Sequence, residues 1–269
     1  MVVFPPCKIN LGLSVLSKRP DGYHNLETCF YPVPWTDVLE IIPADSFEFS
    51  STGNVIPGTP EENLCVKAYQ VLKKDFELEP VKIHLHKIIP SGAGLGGGSS
   101  DAAHTLRLLN EKFAIGLSQQ KLMEYAAQLG SDCAYFIQDK AMLGTGRGEI
   151  LSETSLSLKG KFLVLVKPDI HVSTADAFSG IRPATPHRAI SEIIQYPRQQ
   201  WKGVLKNDFE DTVFNKHPAI KRIKEKLYEL GAVYAAMSGT GSAVAGIFDS
   251  EIDVSGHFLD ATTWSGSLE

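Results

Sequence analysis

From Cys7 to Val15 the odd-numbered residues Cys7, Ile9, Leu11, Leu13 and Val15 are apolar, and Lys8, Asn10, Gly12 and Ser14 fall between them. That period of two predicts a half-buried strand. Pro20, Asp21 and Gly22 then signal a turn, and "YHNLETCFYPVP" reads as the return strand of a hairpin whose polar face carries Lys8 and Asn10 side by side. Further strands are predicted over "TDVLEIIPA" and "FEFSST". Leu64, Ala68, Val71 and Leu72 have helical spacing behind Asn63, a residue suited to cap the helix. In "VKIHLHKI" the alternation returns, with Val81, Ile83 and Leu85 on one side and Lys82, His84 and His86 on the other.

"SSDAAHTLRLLNEKF" predicts a helix with Ala102, Ala103, Leu106 and Leu109 inward, and a second helix runs from Ser118 as its cap to Gly130. "AMLGTGRGEIL" is a short strand with a glycine turn, whereas the unbroken apolar run "KFLVLVKP" is the pattern of a strand covered on both faces. An amphipathic helix ending at Gly231 leads into two small-residue strands around a glycine turn, "AVYAAMSGTGSAVAGIFD". The final "SGSLE" is given no structural role. Hairpins and helices without regular βα alternation predict an α+β fold. The polar stretch 152–161 is the best place for a boundary, dividing residues 1–151 from 152–269.

The 269 residues suffice for one large domain or two moderate ones, and 43% hydrophobic content is ordinary for a globular chain. With 26 basic and 31 acidic residues the net charge is −5, which offers no footprint for nucleic acid or an anionic membrane. No apolar run approaches the ~18 residues of a membrane span, and no signal peptide is evident, so a cytoplasmic protein is expected. Cys7, Cys29, Cys65 and Cys133 follow no metal-ligand spacing and are expected to be reduced core thiols.

Chemistry concentrates in "SGAGLGGGSSD", residues 91–101, between a predicted strand and a predicted helix. Glycine lets the chain take positive φ and lets a ligand approach the main chain, while the N–H groups and dipole of the following helix favour an anion. A P-loop would need a lysine before the serines, and Gly98 runs directly into Ser99 and Ser100. Gly92, Gly94 and Gly97 match the GxGxxG spacing, but no acidic residue closing a second strand follows ~20 residues on. Ser99 and Ser100 read equally as helix caps or as hydroxyls for a phosphate or Mg²⁺.

Phosphoryl transfer also needs a cation and a residue to orient the acceptor. Lys8 is a candidate cation, its alternative being an edge lysine with its head in water. Asp132, after Gly130 and Ser131, is a candidate base or a plain turn aspartate. Were the two adjacent, the ammonium would keep the carboxylate ionised and ease formation of an alkoxide. His84 and His86 lack a third metal ligand and read as a solvated strand face. Gly239 and Gly241, among Ser238, Thr240 and Ser242, form either a tightly packed turn or a second phosphate-facing nest.

Taken in order, "PPCKINLGL", "RPDGYHNLET", "IPSGAGLGGGSSDAA", "GSDCAYF", "GTGRGEIL" and "SGTGSAV" resemble the GHMP kinase family along essentially the whole chain. The resemblance implies a two-domain α+β fold: a ribosomal-protein-S5-like N-terminal domain for ATP, a smaller α+β C-terminal domain, and an active site in the cleft between them. It implies Lys8 and Asp132 as the catalytic pair, Asp132 taking the acceptor proton and Lys8 stabilising charge. ATP would be held by Pro90, Ser91, Gly92, Ala93, Gly94, Leu95, Gly96, Gly97, Gly98, Ser99 and Ser100, with Asn63 and Lys87 near the nucleotide and Ser100 a candidate Mg²⁺ ligand. Through "DGYH" the resemblance further implies an acceptor with a cytidine end, 4-diphosphocytidyl-2-C-methyl-D-erythritol, phosphorylated at its 2-hydroxyl in the non-mevalonate isoprenoid route. Tyr23 and Phe178 would stack on the base and His24 would read its edge. Asn10 and Thr174 would contact the diphosphate or polyol, and Gly239 and Gly241 would form the second nest. Homoserine and mevalonate kinases are the nearest alternatives, which "DGYH" and Phe178 argue against; a nucleotide-binding regulator would not need both Lys8 and Asp132. The partner expected is this small molecule, with neither nucleic acid nor membrane, for a monomer or homodimer.

Overall fold

The predicted strands all form in the computed structural model, which describes residues 1–268. They are gathered into two compact units that do not follow chain order. The first comprises residues 1–7, 35–91 and 96–140, and the second residues 8–34, 92–95 and 141–269. The polar stretch 152–161 runs inside the second unit.

In the first unit, strands β1 (Val2–Val3), β4 (Val38–Pro43), β5 (Glu48–Gly53) and β6 (Val81–Lys87) form a sheet in the order β1-β4-β6-β5, numbered along the chain. Its pairs are antiparallel except β5 with β6. The alternation in β6 buries Val81, Ile83 and Leu85. Helix α1 (Leu64–Asp75) starts where Asn63 Oδ1 accepts from Cys65 N at 2.9 Å, so this residue is the cap expected. Helix α2 (Gly97–Lys112) turns Ala102, Ala103, Leu106 and Leu109 inward and also buries Asp101, His104 and Thr105. It packs against α1, α3 (Gln119–Leu129) and the short α4 (Tyr135–Gln138).

The second unit holds two sheets. One runs β2 (Pro6–Lys18), β3 (His24–Thr36), β7 (Met142–Gly146), β8 (Ile150–Glu153), the first seven residues and Trp35 and Thr36 counting with the other unit. The hairpin between β2 and β3 closes with Arg19 N donating to Tyr23 O at 2.8 Å. Strand β2 is not half-buried as its alternation predicts: Lys8, Asn10 and Ser14 are as buried as their apolar neighbours. The cause is a second layer of chain over this face, since Lys8 Nζ donates to the Gly94 carbonyl and Asn10 N donates to the Ser238 hydroxyl.

The other sheet has the order β10 (Tyr234–Met237), β11 (Val244–Phe248), β9 (Phe162–Pro168), β12 (Ala261–Ser267). The unbroken apolar run of β9 is explained by its central place. The closing residues, given no role from sequence, include the end of β12, which pairs with β9 from Ala261 opposite Pro168 to Ser267 opposite Phe162. Leu13 and Val15 of β2 join Val164, Val166, Met237 and Val244 in one core with Phe209 and Val213 of α7 (Phe209–Lys216) and Ile220 and Leu227 of α8 (Pro218–Glu229). Two short helices, α5 (Thr174–Phe178) and α6 (Ile190–Ile193), complete this unit. All four cysteines are buried, and burial pushes the Cys29 and Cys133 thiols up to about 12.

Candidate active site

The glycine-rich loop leaves β6 at Lys87 and enters α2 at Gly97. Gly92, Gly94 and Gly96 take φ of 64°, 77° and 70°, the left-handed region that glycine enters without strain, while Ala93 and Leu95 between them are buried. Gly96 is the N-cap of α2. Ser99 and Ser100 therefore lie within the first turn and are not its caps, a correction to the sequence reading. The amides at the start of α2 precede any intrahelical acceptor and are oriented as an anion site requires. A Cβ on Gly98 would meet nothing closer than Leu64 Cδ1 at 4.0 Å, so the space over this turn is unfilled by the protein's own atoms.

The first unit holds a buried ion cluster. Lys87 Nζ pairs with Asp37 and lies 2.8 Å from Asp101 Oδ2, and Asp37 Oδ1 accepts from Ile88 N and Ile89 N at 2.5 and 2.8 Å. Burial pushes Asp101 up to about 7 despite the ammonium beside it. Burial also opposes the charge on Lys87, but the two carboxylates outweigh it and raise its pKa. Lys87 thus ties the end of β6 to the first turns of α2. The Asp37 and Asp101 partners carry no sequence signal beyond being acidic.

Within the second unit, Lys8 Nζ lies 2.5 Å from Asn10 Oδ1, 3.1 Å from Gly94 O and 5.3 Å from the centroid of the Phe30 ring. Ser238 Oγ donates to the same Gly94 carbonyl at 2.8 Å, and Ala243 N donates to Ala93 O at 3.1 Å. The glycine turn after β10 is consequently seated on residues 93–94, with Gly239 packed against Gly94. Asn207, overlooked in the sequence, holds this turn by donating to Met237 O and Gly239 O, each at 2.8 Å.

His24 and Phe178 stack at 4.8 Å and 24°, with Phe209 edge-on to Phe178 at 4.7 Å. Thr174 is exposed at the opposite end of α5 from Phe178. Tyr23 is exposed at the hairpin turn, and the Arg147 guanidinium lies 5.0 Å from its ring centroid. In the first unit, half-buried Asp132 occupies the turn between α3 and α4, next to Cys133, whose thiol hydrogen-bonds Ser99. Lys8 and Asp132 belong to different units.

Ser100 is fully buried, its Oγ 3.4 Å from His104 Nδ1, whereas Ser99 is partly exposed. His84 and His86 meet the hydroxyls of Ser50 and Thr52 at 2.8–3.1 Å, as a strand face would. Among the described residues no group of three or more His, Cys, Asp or Glu is placed to hold a metal, and no helix is long and apolar enough to cross a membrane.

Known proteins extend this geometry. Residues 63–140 match the model of the GHMP kinases N terminal domain and residues 183–255 that of the GHMP kinases C terminal region. A 4-diphosphocytidyl-2-C-methyl-D-erythritol kinase of Bacteroides fragilis is 57% identical over 255 residues, and one of Cytophaga hutchinsonii 55% over 252, each match covering 93% of both chains. A crystal structure of 4-(cytidine 5'-diphospho)-2C-methyl-D-erythritol kinase superposes with a TM-score of 0.85 at 30% identity, covering 100% of this chain and 99% of that one. The fold is thus the two-domain GHMP kinase fold expected from the motifs, and identity this high over nearly the full length narrows it to one branch. The chain belongs to the GHMP kinase family, among the 4-diphosphocytidyl-2-C-methyl-D-erythritol kinases, and is an ATP-dependent kinase acting on a small molecule.

Proposed function

We propose that this kinase transfers the γ-phosphoryl group of ATP to the 2-hydroxyl of 4-diphosphocytidyl-2-C-methyl-D-erythritol, releasing the 2-phosphate and ADP in the non-mevalonate isoprenoid route. One observation carries the chemistry: a buried lysine, Lys8, has its ammonium on the main chain of the glycine-rich loop at Gly94 O, 3.1 Å away. A cation there is suited to the charge that builds on a phosphoryl group during transfer, and in-line transfer needs no phosphoenzyme.

The amides of Gly97, Gly98 and Ser99 take the phosphates in this reading, supported by the open space over Gly98. Residues 90–100, Asn63 and Lys87 make up the nucleotide site in this reading, Lys87 acting through the helix start it anchors. Asp132 accepts the proton of the attacking hydroxyl and Lys8 offsets the charge. Tyr23 and Phe178 stack on the cytosine and His24 reads its edge, Asn10 and Thr174 contact the diphosphate or polyol, and Gly239 and Gly241 line the substrate side. Residues 1–151 serve chiefly ATP and 152–269 chiefly the acceptor, the first part lending Tyr23 and His24.

Mg²⁺ fits as an ion carried in on the triphosphate, because such an ion needs only one or two protein oxygens. Ser99 is the more accessible hydroxyl for it and Ser100 the more buried one. When bound it would neutralise charge on the β- and γ-phosphates. The enzyme is proposed to work in the cytoplasm as a monomer or homodimer, without nucleic acid. ADP release measured in parallel with the cytidyl acceptor, mevalonate and homoserine tests the assignment. Turnover with the cytidyl acceptor alone is expected, and equal background rates with all three would overturn it.

A further inference from the structure

Lys8 and Asn10 meet side chain to side chain on β2, Nζ to Oδ1, at 2.5 Å. A carboxamide has two ends of similar shape, and only its oxygen can accept from an ammonium. The ammonium therefore requires the oxygen, and the neighbour on the other side of the amide either supports that orientation or opposes it. Thr28 Oγ1 on β3 lies 2.9 Å from Asn10 Nδ2 and 2.6 Å from Gly12 O.

A hydroxyl has one proton, and a backbone carbonyl can only accept. The Thr28 proton is therefore committed to Gly12 O, and Oγ1 has only lone pairs left for Asn10. The Asn10 NH₂ must face Thr28, and its Oδ1 must face Lys8. Ser238 Oγ, 3.4 Å from Asn10 Oδ1, is the weaker neighbour of the amide, because its proton lies on the shorter contact to Gly94 O at 2.8 Å while it accepts from Asn10 N at 3.2 Å. Thr28, Lys8 and Asn10 are 1%, 3% and 4% exposed, so bulk water cannot take over the role.

We propose that Thr28 is a positioning residue for phosphoryl transfer: by fixing the Asn10 amide it aims Oδ1 at Lys8 and holds the ammonium against the glycine-rich loop. The inference rests on the reading of Lys8 as the charge-stabilising group. Thr28→Val replaces the hydroxyl with a methyl of similar size, removes the acceptor of the Asn10 NH₂ and leaves the amide held on one side only, by the ammonium.

Thr28→Val should lower kcat at least about tenfold, with KM for ATP within about threefold, since the buried polar contact that is lost does not touch the nucleotide. Thr28→Ser, which keeps the hydroxyl, should restore kcat to within about threefold of the parent. Exchange of the Asn10 side-chain amide protons, followed by NMR, should be slow in the parent and Thr28→Ser and fast in Thr28→Val. A folded Thr28→Val enzyme with parental kcat, or a Thr28→Ser enzyme as slow as the valine variant, would overturn the proposal. If Thr28→Val does not fold, Thr28→Ala removes the same hydroxyl and carries the same expectations. An unimpaired Lys8→Ala enzyme would sink the reading of Lys8 instead, and the exchange rates would still decide whether Thr28 fixes the amide.

Discussion

Gly98 and Gly241 lie in stretches of similar composition, yet side chains added to them would meet different surroundings. At Gly98 a Cβ would point into open space, with Leu64 Cδ1 at 4.0 Å the nearest atom. At Gly241 it would lie 2.6 Å from Met237 Sδ, and at Gly239 3.2 Å from Gly94 O. The turn after β10 is bare because chain packs on chain; the start of α2 is bare over space the protein does not fill. Composition cannot tell these cases apart, although one marks a ligand surface and the other a joint. Gly94 belongs with the joint despite its place in the first stretch, because a Cβ there would overlap the carbonyl of Ser238.

If neither stretch performs chemistry, the largest effect should come from outside both. Asp132→Asn should lower kcat by about 10²–10⁴-fold, the usual worth of a general base, with ATP binding by calorimetry nearly unchanged. Lost ATP affinity would move Asp132 into the nucleotide cradle and break the division. Gly94→Ala comes next: a left-handed φ costs about 1–2 kcal/mol and overpacking about 1–3 more, so urea denaturation should show a loss of roughly 3 kcal/mol. A stable Gly94→Ala protein would mean that the joint yields.

Gly98→Ala separates the two kinds of bareness most directly. It should leave the fold intact or stabilise it by about 0.5 kcal/mol through helix propensity. At the same time it should weaken ATP about tenfold by crowding the phosphates, the kind of close approach that glycine permits. Unchanged ATP affinity would remove Gly98 from the ligand surface.

The last expected effect, confined to a pH window, concerns the buried ion cluster of Lys87, Asp37 and Asp101. Asp101, pushed up to about 7 from an unfolded value near 4, binds more protons folded than unfolded between those limits. Its contribution to stability therefore falls as pH rises from about 4 to 7 and is level above that. Asp101→Asn should flatten that part of the stability profile, as measured by urea titrations at pH 5 and pH 8. An unaltered slope would assign it to other groups.

Local patterns were legible where local physics decides them. The β2–β3 hairpin follows from alternation around a Pro-Asp-Gly turn, α1 from apolar spacing behind Asn63, and central β9 from an unbroken apolar run. The glycine-rich loop was legible as an anion cradle because strand, bare chain and helix succeed one another within a few residues. The burial of Lys8, Asn10 and Ser14 was not, since alternation reports a polar face and says nothing about main chain arriving from residue 94 or residue 238. Of the two readings of Ser99 and Ser100, the cap fails: capping statistics favour serine, but a left-handed Gly96 takes that place.

By itself the sequence determined the hydrophobic periodicities, the conformational freedom of residues 92–98 and the family motifs, because all of these are written in residue types at short range. The tertiary structure decided that Lys87 is spent on Asp37 and Asp101, that the turn after β10 is seated on Gly94, and that Thr28 accepts from the Asn10 amide. These partners lie between 14 and 144 residues apart along the chain. Such hydrogen bonds and ion pairs depend on distances of about 3 Å, and only the folding of distant segments into register sets them.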